Sequence, residues 1–439
     1  MAEKIKEQCT LQKIDGVLWV RCLLFLVFLG VSLLGVAGCK EDTPPGTLEQ
    51  RKHIKFVRLY GTPYEMGYQH GLLLEEELRE GAVFIDNSEL WILMEWAEDS
   101  GFLEKAWEYS YDDVIDECRG LEDAVDGGIT ADQCLTLAYG EVVVEFFNEN
   151  HPVNCSQFVA TGAATKDGKL VHGRNLDWDA LSFIEENPVV FYREPKGSKL
   201  AYLSLGFPGN VAPYSGMNEA GISVASNEAT AVSDVSSNGR GHVQMVRQIL
   251  RNAASLEEAE TFLRAQEHTT AEILMVSDAV AGKAAVFEMT ASKMGVRYLS
   301  DDDIVYTTNH FIEPSMENES KPVEPGYSTW NRLVRLEQLL EPGGDESLHG
   351  QLDIEAAITV LRDTHNPHTG ETHPPELLDG GGSIANNGNL QSLVFSAADG
   401  VMYVGVGKVP AVTNEFIGFS FEQARAGVGG EPPTPETIP

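Results

Sequence analysis

Cys155 stands in the run Asn154-Cys155-Ser156-Gln157-Phe158, at the point where a helical pattern gives way to an alternating one. A turn, Thr165-Lys166-Asp167-Gly168, is followed by Leu170-Val171-His172-Gly173-Arg174-Asn175-Leu176-Asp177-Trp178. Two adjacent antiparallel strands in this order bring Cys155 beside Arg174 and Asp177. A guanidinium near a thiol favours the thiolate, the reactive form, so the trio is a candidate nucleophile with its activating charge. Read alone, Cys155 is also compatible with a small buried apolar residue beside a surface ion pair. His172 and Arg174 share one face of the alternating strand, so a His172–Cys155 pair of the thiol-protease kind is a competing arrangement.

Other chemistries leave no such pattern. Gly381-Gly382-Ser383-Ile384-Ala385 fails the GxSxG elbow at its last position, and there is no P-loop, HExxH or dinucleotide fingerprint. His365, His368 and His373 share a loop with Glu371, but Asn366, Pro367, Gly370 and Pro374 make that loop irregular. It lacks metal-ligand spacing, so neither metal nor cofactor is expected.

The elements around these residues fall into two blocks. From about Tyr64 to Asn150 apolar positions recur at helical spacing, and Thr130-Ala131-Asp132-Gln133 is a capping box opening a helix toward Phe147. From Phe158 the period becomes that of strands: Lys169–His172, Pro188–Tyr192, Leu200–Leu205, Gly221–Ala225, Ala271–Val276, Lys283–Met289, Asp303–Thr308, Gln391–Ser396 and Val401–Val406. Helices interrupt them at Val243–Ala253, onward to Arg264 behind Ser255, at Trp330–Leu340, and after Asp353 to Arg362. Strands in blocks rather than strict alternation favour an antiparallel α+β sandwich. There is no internal repeat, and from Ala426 the Gly- and Pro-rich chain reads as a frayed tail.

The 439 residues carry 31 Lys and Arg against 67 Asp and Glu, a net charge of −36. So negative a field repels phosphate backbones and anionic lipid surfaces, which argues against a nucleic-acid partner. Lys4, Lys6, Lys13 and Arg21 precede a short apolar run from Cys22 to Val36 that ends in Val36-Ala37-Gly38-Cys39. This reads as an export signal over residues 1–38, and the small residues before Cys39 resemble a bacterial lipobox. Cys39 would take the lipid, residues 39–50 would form a tether, and the body would sit in the bacterial cell envelope, outside the cytoplasm. Membrane attachment is expected through that anchor only. Cys118, Cys134 and Cys155 then remain in an oxidising compartment, an odd number that implies a free thiol. Cys118 and Cys134 either pair or are buried singly.

Five segments together resemble one family. Cys155 to Trp178 is similar to the nucleophile region of N-terminal-nucleophile hydrolases, specifically the acyl-coenzyme A:6-aminopenicillanic-acid acyltransferase family, with choloylglycine hydrolases as cousins. Gly61-Thr62-Pro63-Tyr64-Glu65-Met66-Gly67-Tyr68-Gln69-His70-Gly71 looks like its opening signature, and Met217-Asn218-Glu219-Ala220-Gly221-Ile222 with Ser226-Asn227 like its central motif. Thr308-Asn309-His310-Phe311 and Ser328-Thr329-Trp330-Asn331-Arg332 resemble the later asparagine and arginine motifs. The sequence departs from the pattern at Asn154, where the penicillin-forming enzyme has glycine, and at Gly381–Gly388, where a cysteine-containing motif would stand.

The resemblance implies a four-layer αββα sandwich of two antiparallel sheets, with a helical pro-segment (51–154), a catalytic body (155–425) and a tail (426–439). It implies self-cleavage between Asn154 and Cys155, the two fragments remaining associated. Cys155 would then be the nucleophile and its own freed α-amine the base. Asp177 would hold the ammonium, Arg174 would tune the thiol, Asn309 and Asn227 would supply oxyanion donors, and Arg332 would orient the group. His310 is read as structural. The expected activity is hydrolysis of an N-acyl amide or small acylated peptide. Acyl transfer to an amine acceptor, and a silent ligand-binding lipoprotein of the same fold, are the competing functions.

Overall fold

The computed structural model describes residues 45–147, 154–178, 182–229, 231–374, 382–426 and 437–439. The expected signal, Cys39 and half of the tether lie outside them, and among the described residues no helix is long and apolar enough to cross a membrane.

Two large sheets form the centre. One has nine strands, running from Thr47–Arg51 and Ile54–Gly61 at one edge, through Val189–Pro195, Tyr202–Gly206, Ser215–Asn218, Ile222–Glu228, Glu272–Asp278 and Lys283–Met289, to Met294–Tyr298. The other has seven, in the order Ile304–Thr307, Ser156–Ala160, Val171–Asp177, Asn389–Ser396, Val401–Gly405, Phe416–Ser420 and Thr437–Ile438. All neighbours are antiparallel except Ile54–Gly61 and Val189–Pro195, whose pairing is parallel.

Strand alternation explains the layers. Ile54, Phe56, Val190 and Tyr192 pack between the sheets against Leu393, Phe395, Val404 and Phe419. Val57, Leu59, Val189 and Phe191, one residue out of phase, pack under the N-terminal helices on Leu78, Leu121, Leu135 and Val142. Helices His242–Asn252 and Leu256–Arg264 cover Ile222, Val224, Leu274 and Val276 of the same sheet. Helices Ser328–Leu340 and Ile354–Leu361 cover Phe158, Val171 and Val394 of the other. The architecture is therefore the αββα sandwich.

Two features differ from the sequence reading, and one alternative that it left open is decided. The front piece is not wholly helical: residues 47–61 form a hairpin completing the nine-stranded sheet, because Ile54, Phe56, Val57 and Leu59 need both faces covered. The tail is not frayed to its end, since Thr437 and Ile438 pair with Ile417 and Phe416. Cys118 and Cys134 form a disulfide, joining helix Asp112–Ala124 to Ala131–Ala138.

The opening signature serves packing. Its helix, Pro63–Leu73, starts at a reciprocal capping box between Thr62 and Glu65. It crosses Asp112–Ala124 so closely that a Cβ on Gly67 would lie 2.0 Å from the Glu117 carbonyl oxygen. Gln69 bonds both backbone groups of Tyr60 at 3.0 Å, and His70 accepts from the Gly209 amide at 3.1 Å. Glu117 carries the contact into the body, accepting from Arg193 Nε at 3.0 Å and Arg247 Nη1 at 2.6 Å.

Candidate active site

Ser156 opposite Asn175 and Gln157 opposite Arg174 set the register of the two central strands. Cys155, one residue before this ladder, lies over its far end and donates to the Asp177 carbonyl oxygen at 4.0 Å. It is 6% exposed and is the free thiol among the described residues. Burial pushes its pKa above the ordinary thiol value, opposed chiefly by the charge of Arg174. The thiol is therefore neutral here and needs a base.

Arg174 crosses from the seven-stranded to the nine-stranded sheet, donating to Ser226 O at 2.6 Å and Ser215 Oγ at 3.4 Å. Burial lowers its pKa, while Cys155 and Asp177 oppose that shift. Asp177 is buried, and desolvation lifts it to about 6 despite the guanidinium of Arg332 and two amide donors. Those donors are Asn389, at 2.9 Å to Oδ1, and Asn386, to Oδ2.

Arg332, on the first turns of Ser328–Leu340, reaches into the sheet. It donates to the Cys155 carbonyl oxygen, to Ser156 Oγ at 3.0 Å, to Asn309 Oδ1 at 2.9 Å and to Ser328 Oγ at 3.1 Å. Burial lowers it to about 10. Ser328 in turn donates to Asn154 Oδ1 at 2.7 Å, so one helix start holds both residues of the Asn154–Cys155 peptide. Asn309 donates to Glu228 O at 2.7 Å and Asn227 to Thr308 O at 2.8 Å, while Asn227 accepts from Gln157. Each amide nitrogen carries two hydrogens, so one remains for a reacting group.

The structure thus gathers Cys155, Arg174, Asp177, Asn309 and Arg332 in one network, with Asn227 one residue from Glu228. It does not form the His172 pair: His172 bonds Ser223 at 2.9 Å and Gln157 at 3.4 Å, and burial lowers it to about 3. His310 is held by Thr329 at 2.7 Å. His365 bonds Thr372, and among the described residues no group of three His, Cys, Asp or Glu side chains is placed to hold a metal.

Sequence reasoning missed Asn386, Asn389, Ser328 and Tyr214. The signal for the first two was present: a buried carboxylate needs donors, and an Asn-rich turn precedes the strand that pairs with Val171–Asp177.

The recess at Cys155 is lined also by Arg174, Leu176, Trp178, Tyr214 and Glu228. Leu176, Trp178 and Tyr214 also line an adjoining apolar cavity of about 130 Å3, walled by Phe84, Leu93, Ile129, Val144, Phe183 and Phe207. Half of that wall comes from the N-terminal helices.

A four-layer sandwich of two large, almost wholly antiparallel sheets between helical layers is the architecture of the N-terminal-nucleophile fold class. The profile of the family described as acyl-coenzyme A:6-aminopenicillanic acid acyl-transferase matches residues 163–408, and the chain belongs to that family. The match takes in Arg174, Asp177, Asn227, Asn309 and Arg332 and begins after Cys155. An uncharacterized protein of Archaeoglobus fulgidus is 24% identical over 406 residues, covering 79% of this chain; the chain spans 65% of that relative's length. Among solved structures, an N-acylethanolamine-hydrolyzing acid amidase ortholog of Caenorhabditis elegans is similar at 17% identity, over 55% of this chain and 93% of its own, with a TM-score of 0.40. A C2A mutant of the conjugated bile acid hydrolase of Clostridium perfringens is similar at 16% identity, over 65% and 96%, with a TM-score of 0.39.

Proposed function

We propose that this protein is a self-processing cysteine amidohydrolase that cleaves N-acyl amides with an apolar acyl group. The observation that carries the reading is a lone thiol, Cys155, at the junction of an Arg174/Asp177 pair and an apolar cavity.

Processing begins when Cys155 Sγ attacks the Asn154 carbonyl carbon. The Asn154–Cys155 C–N bond breaks, the nitrogen takes a proton, and Asn154 is left as a thioester on sulfur. Water hydrolyses the thioester, releasing the Asn154 carboxylate and the thiol. The new α-amine, with an ordinary pKa of about 7.7–8.0, accepts the thiol proton in each later turnover. Asp177 holds it when charged. An incoming amide acylates sulfur: its C–N bond breaks and the amine leaves with the proton held on the α-amine, the free hydrogens of Asn309 and Asn227 facing the oxyanion, and water then releases the acid and the thiol. The cavity excludes water from the acyl chain. Cys39 lipidation would anchor the enzyme in the cell envelope, outside the cytoplasm, with both fragments associated through the shared core. An amine acceptor that outcompetes water would make the same acyl-enzyme a transferase.

Intact mass under denaturing conditions tests the reading. Wild type should give two pieces joining at Asn154/Cys155 and Cys155→Ala one chain, and only the wild type should release acid from medium- and long-chain N-acyl amides. A single chain in both, with no acid released, would leave a binding protein instead.

A further inference from the structure

The recess holding Cys155 contains a second set of polar groups that the acyl chemistry leaves unused. Glu141 comes from helix Gly140–Phe147 of the front piece, and His242 opens helix His242–Asn252. His242 Nδ1 contacts the Glu272 carboxylate closely and lies 3.4 Å from Glu141 Oε1. Glu141 is 2% exposed, yet neither of its oxygens has a hydrogen-bond partner among the described residues. The backbone amides of Glu141 itself and of Val243 stabilise its charge without reaching bonding geometry. Gly241 leaves the space it occupies: a Cβ there would stand 2.5 Å from Glu141 Oε1.

A buried carboxyl whose oxygens meet no well-aligned donor costs on the order of 1–3 kcal/mol, so a ligand that supplies such donors is favoured here. Glu141 also lines the apolar cavity, so a single ligand can fill both spaces. Acids outnumber bases around it: Glu141 and Glu228 line the recess and Glu272 stands behind, against Arg174 and an imidazole that burial keeps neutral. An ammonium, with three donors and no acceptor, suits two unbonded carboxylate oxygens, whereas an anion would meet like charge.

We propose that Glu141 is the base of a subsite for a protonated alkylamine, so that the preferred ligand pairs an apolar chain in the cavity with an ammonium on Glu141. As a statement about substrate this rests on the amidohydrolase reading, and the substrate would be an amide carrying a second, charged nitrogen. As a binding site it stands without turnover. Burial pushes Glu141 up to about 7, and a seated cation would bring it back down.

Calorimetric titration of the full chain with n-octylammonium and with 1-octanol tests it. The expected result is binding of octylammonium at least tenfold tighter than octanol, with Glu141→Gln removing that tenfold and leaving octanol unchanged. Equal affinity of the two ligands for wild type would overturn the proposal without any variant. So would a Glu141→Gln protein that keeps the ammonium preference. Octylammonium seated on Glu141 in a protein that hydrolyses no amide would defeat the amidohydrolase reading alone.

Discussion

Asn389 donates its side-chain amide to Asp177 Oδ1 at 2.9 Å, and Asn386 serves the other oxygen of the same carboxylate. Both bonds favour the charged form, whereas burial has lifted the group to about 6. Removing a donor must therefore raise the pKa further, by about one unit. The folded value already lies above the unfolded one, near 3.9. Stability from this group is thus full below pH 4 and is lost as pH rises through about 6. Asn386→Leu, made in a Cys155→Ala background that keeps the chain intact, should cost about 1 kcal/mol more at pH 7 than at pH 4.5. Urea unfolding at the two pH values measures the difference, and an equal loss at both would show that Asn386 does not act through the charge of Asp177.

Arg332 fixes the Cys155 carbonyl, Ser156 and Asn309 together, with its guanidinium fully desolvated. Lysine keeps the charge but not the fork, and cannot serve the three acceptors from one planar group. Arg332→Lys should lower kcat/KM by about a hundredfold, near 2.7 kcal/mol of transition-state stabilisation. Far-UV circular dichroism should stay unchanged. Activity within threefold of wild type would contradict the orienting role.

Ser328 gives a more selective probe. Its hydroxyl accepts from Arg332 Nε and donates to Asn154 Oδ1, touching the residue that leaves but not the thiol. Ser328→Ala should slow self-cleavage about tenfold, worth about 1.4 kcal/mol. Once processed, the protein should turn over within twofold of wild type, because Asn154 no longer shares the bond being made. A time course by gel on freshly synthesised chain, followed by an assay of the processed pool, separates the two rates. Equal slowing of both would place Ser328 in the mature machinery.

Much of this arrangement was readable from residue order. The apolar run in Lys283–Met289 and the capping residues Thr130 and Asp353 fix elements by local rules, and one hairpin suffices to set Cys155 near Arg174 and Asp177. The five motifs located the arginine and asparagine members of the network. What stayed hidden depends on long-range contacts. The strand Ser215–Asn218 is four residues of weak pattern, stabilised by neighbours on both sides. Glu141 and His242 are 101 positions apart and meet only because a front-piece helix packs on the nine-stranded sheet. Asn386 lies in an Asn-rich turn that the sequence does show, but which carboxylate it serves appears only once Asn389–Ser396 lies beside Val171–Asp177.

Glu117 makes the dependence on long-range packing measurable. Its fully buried carboxylate lies between Arg193 and Arg247, and Arg247 also engages Asp113 at 2.9 Å. Opposed by burial, the two guanidiniums still hold Glu117 below the ordinary carboxylate range. Glu117→Gln preserves shape but leaves two buried cations facing a neutral amide, which should cost about 3–5 kcal/mol. Because Glu117 belongs to the front piece and both arginines to the body, the loss should appear as easier separation of the two fragments after processing. Size-exclusion chromatography in increasing urea should show the variant's front piece leaving at a denaturant concentration where wild type stays whole. Co-elution of both fragments to the same urea concentration in the two proteins would mean that the apolar contacts of Val57, Leu59 and Phe191 hold the fragments together and the buried ion pairs add nothing.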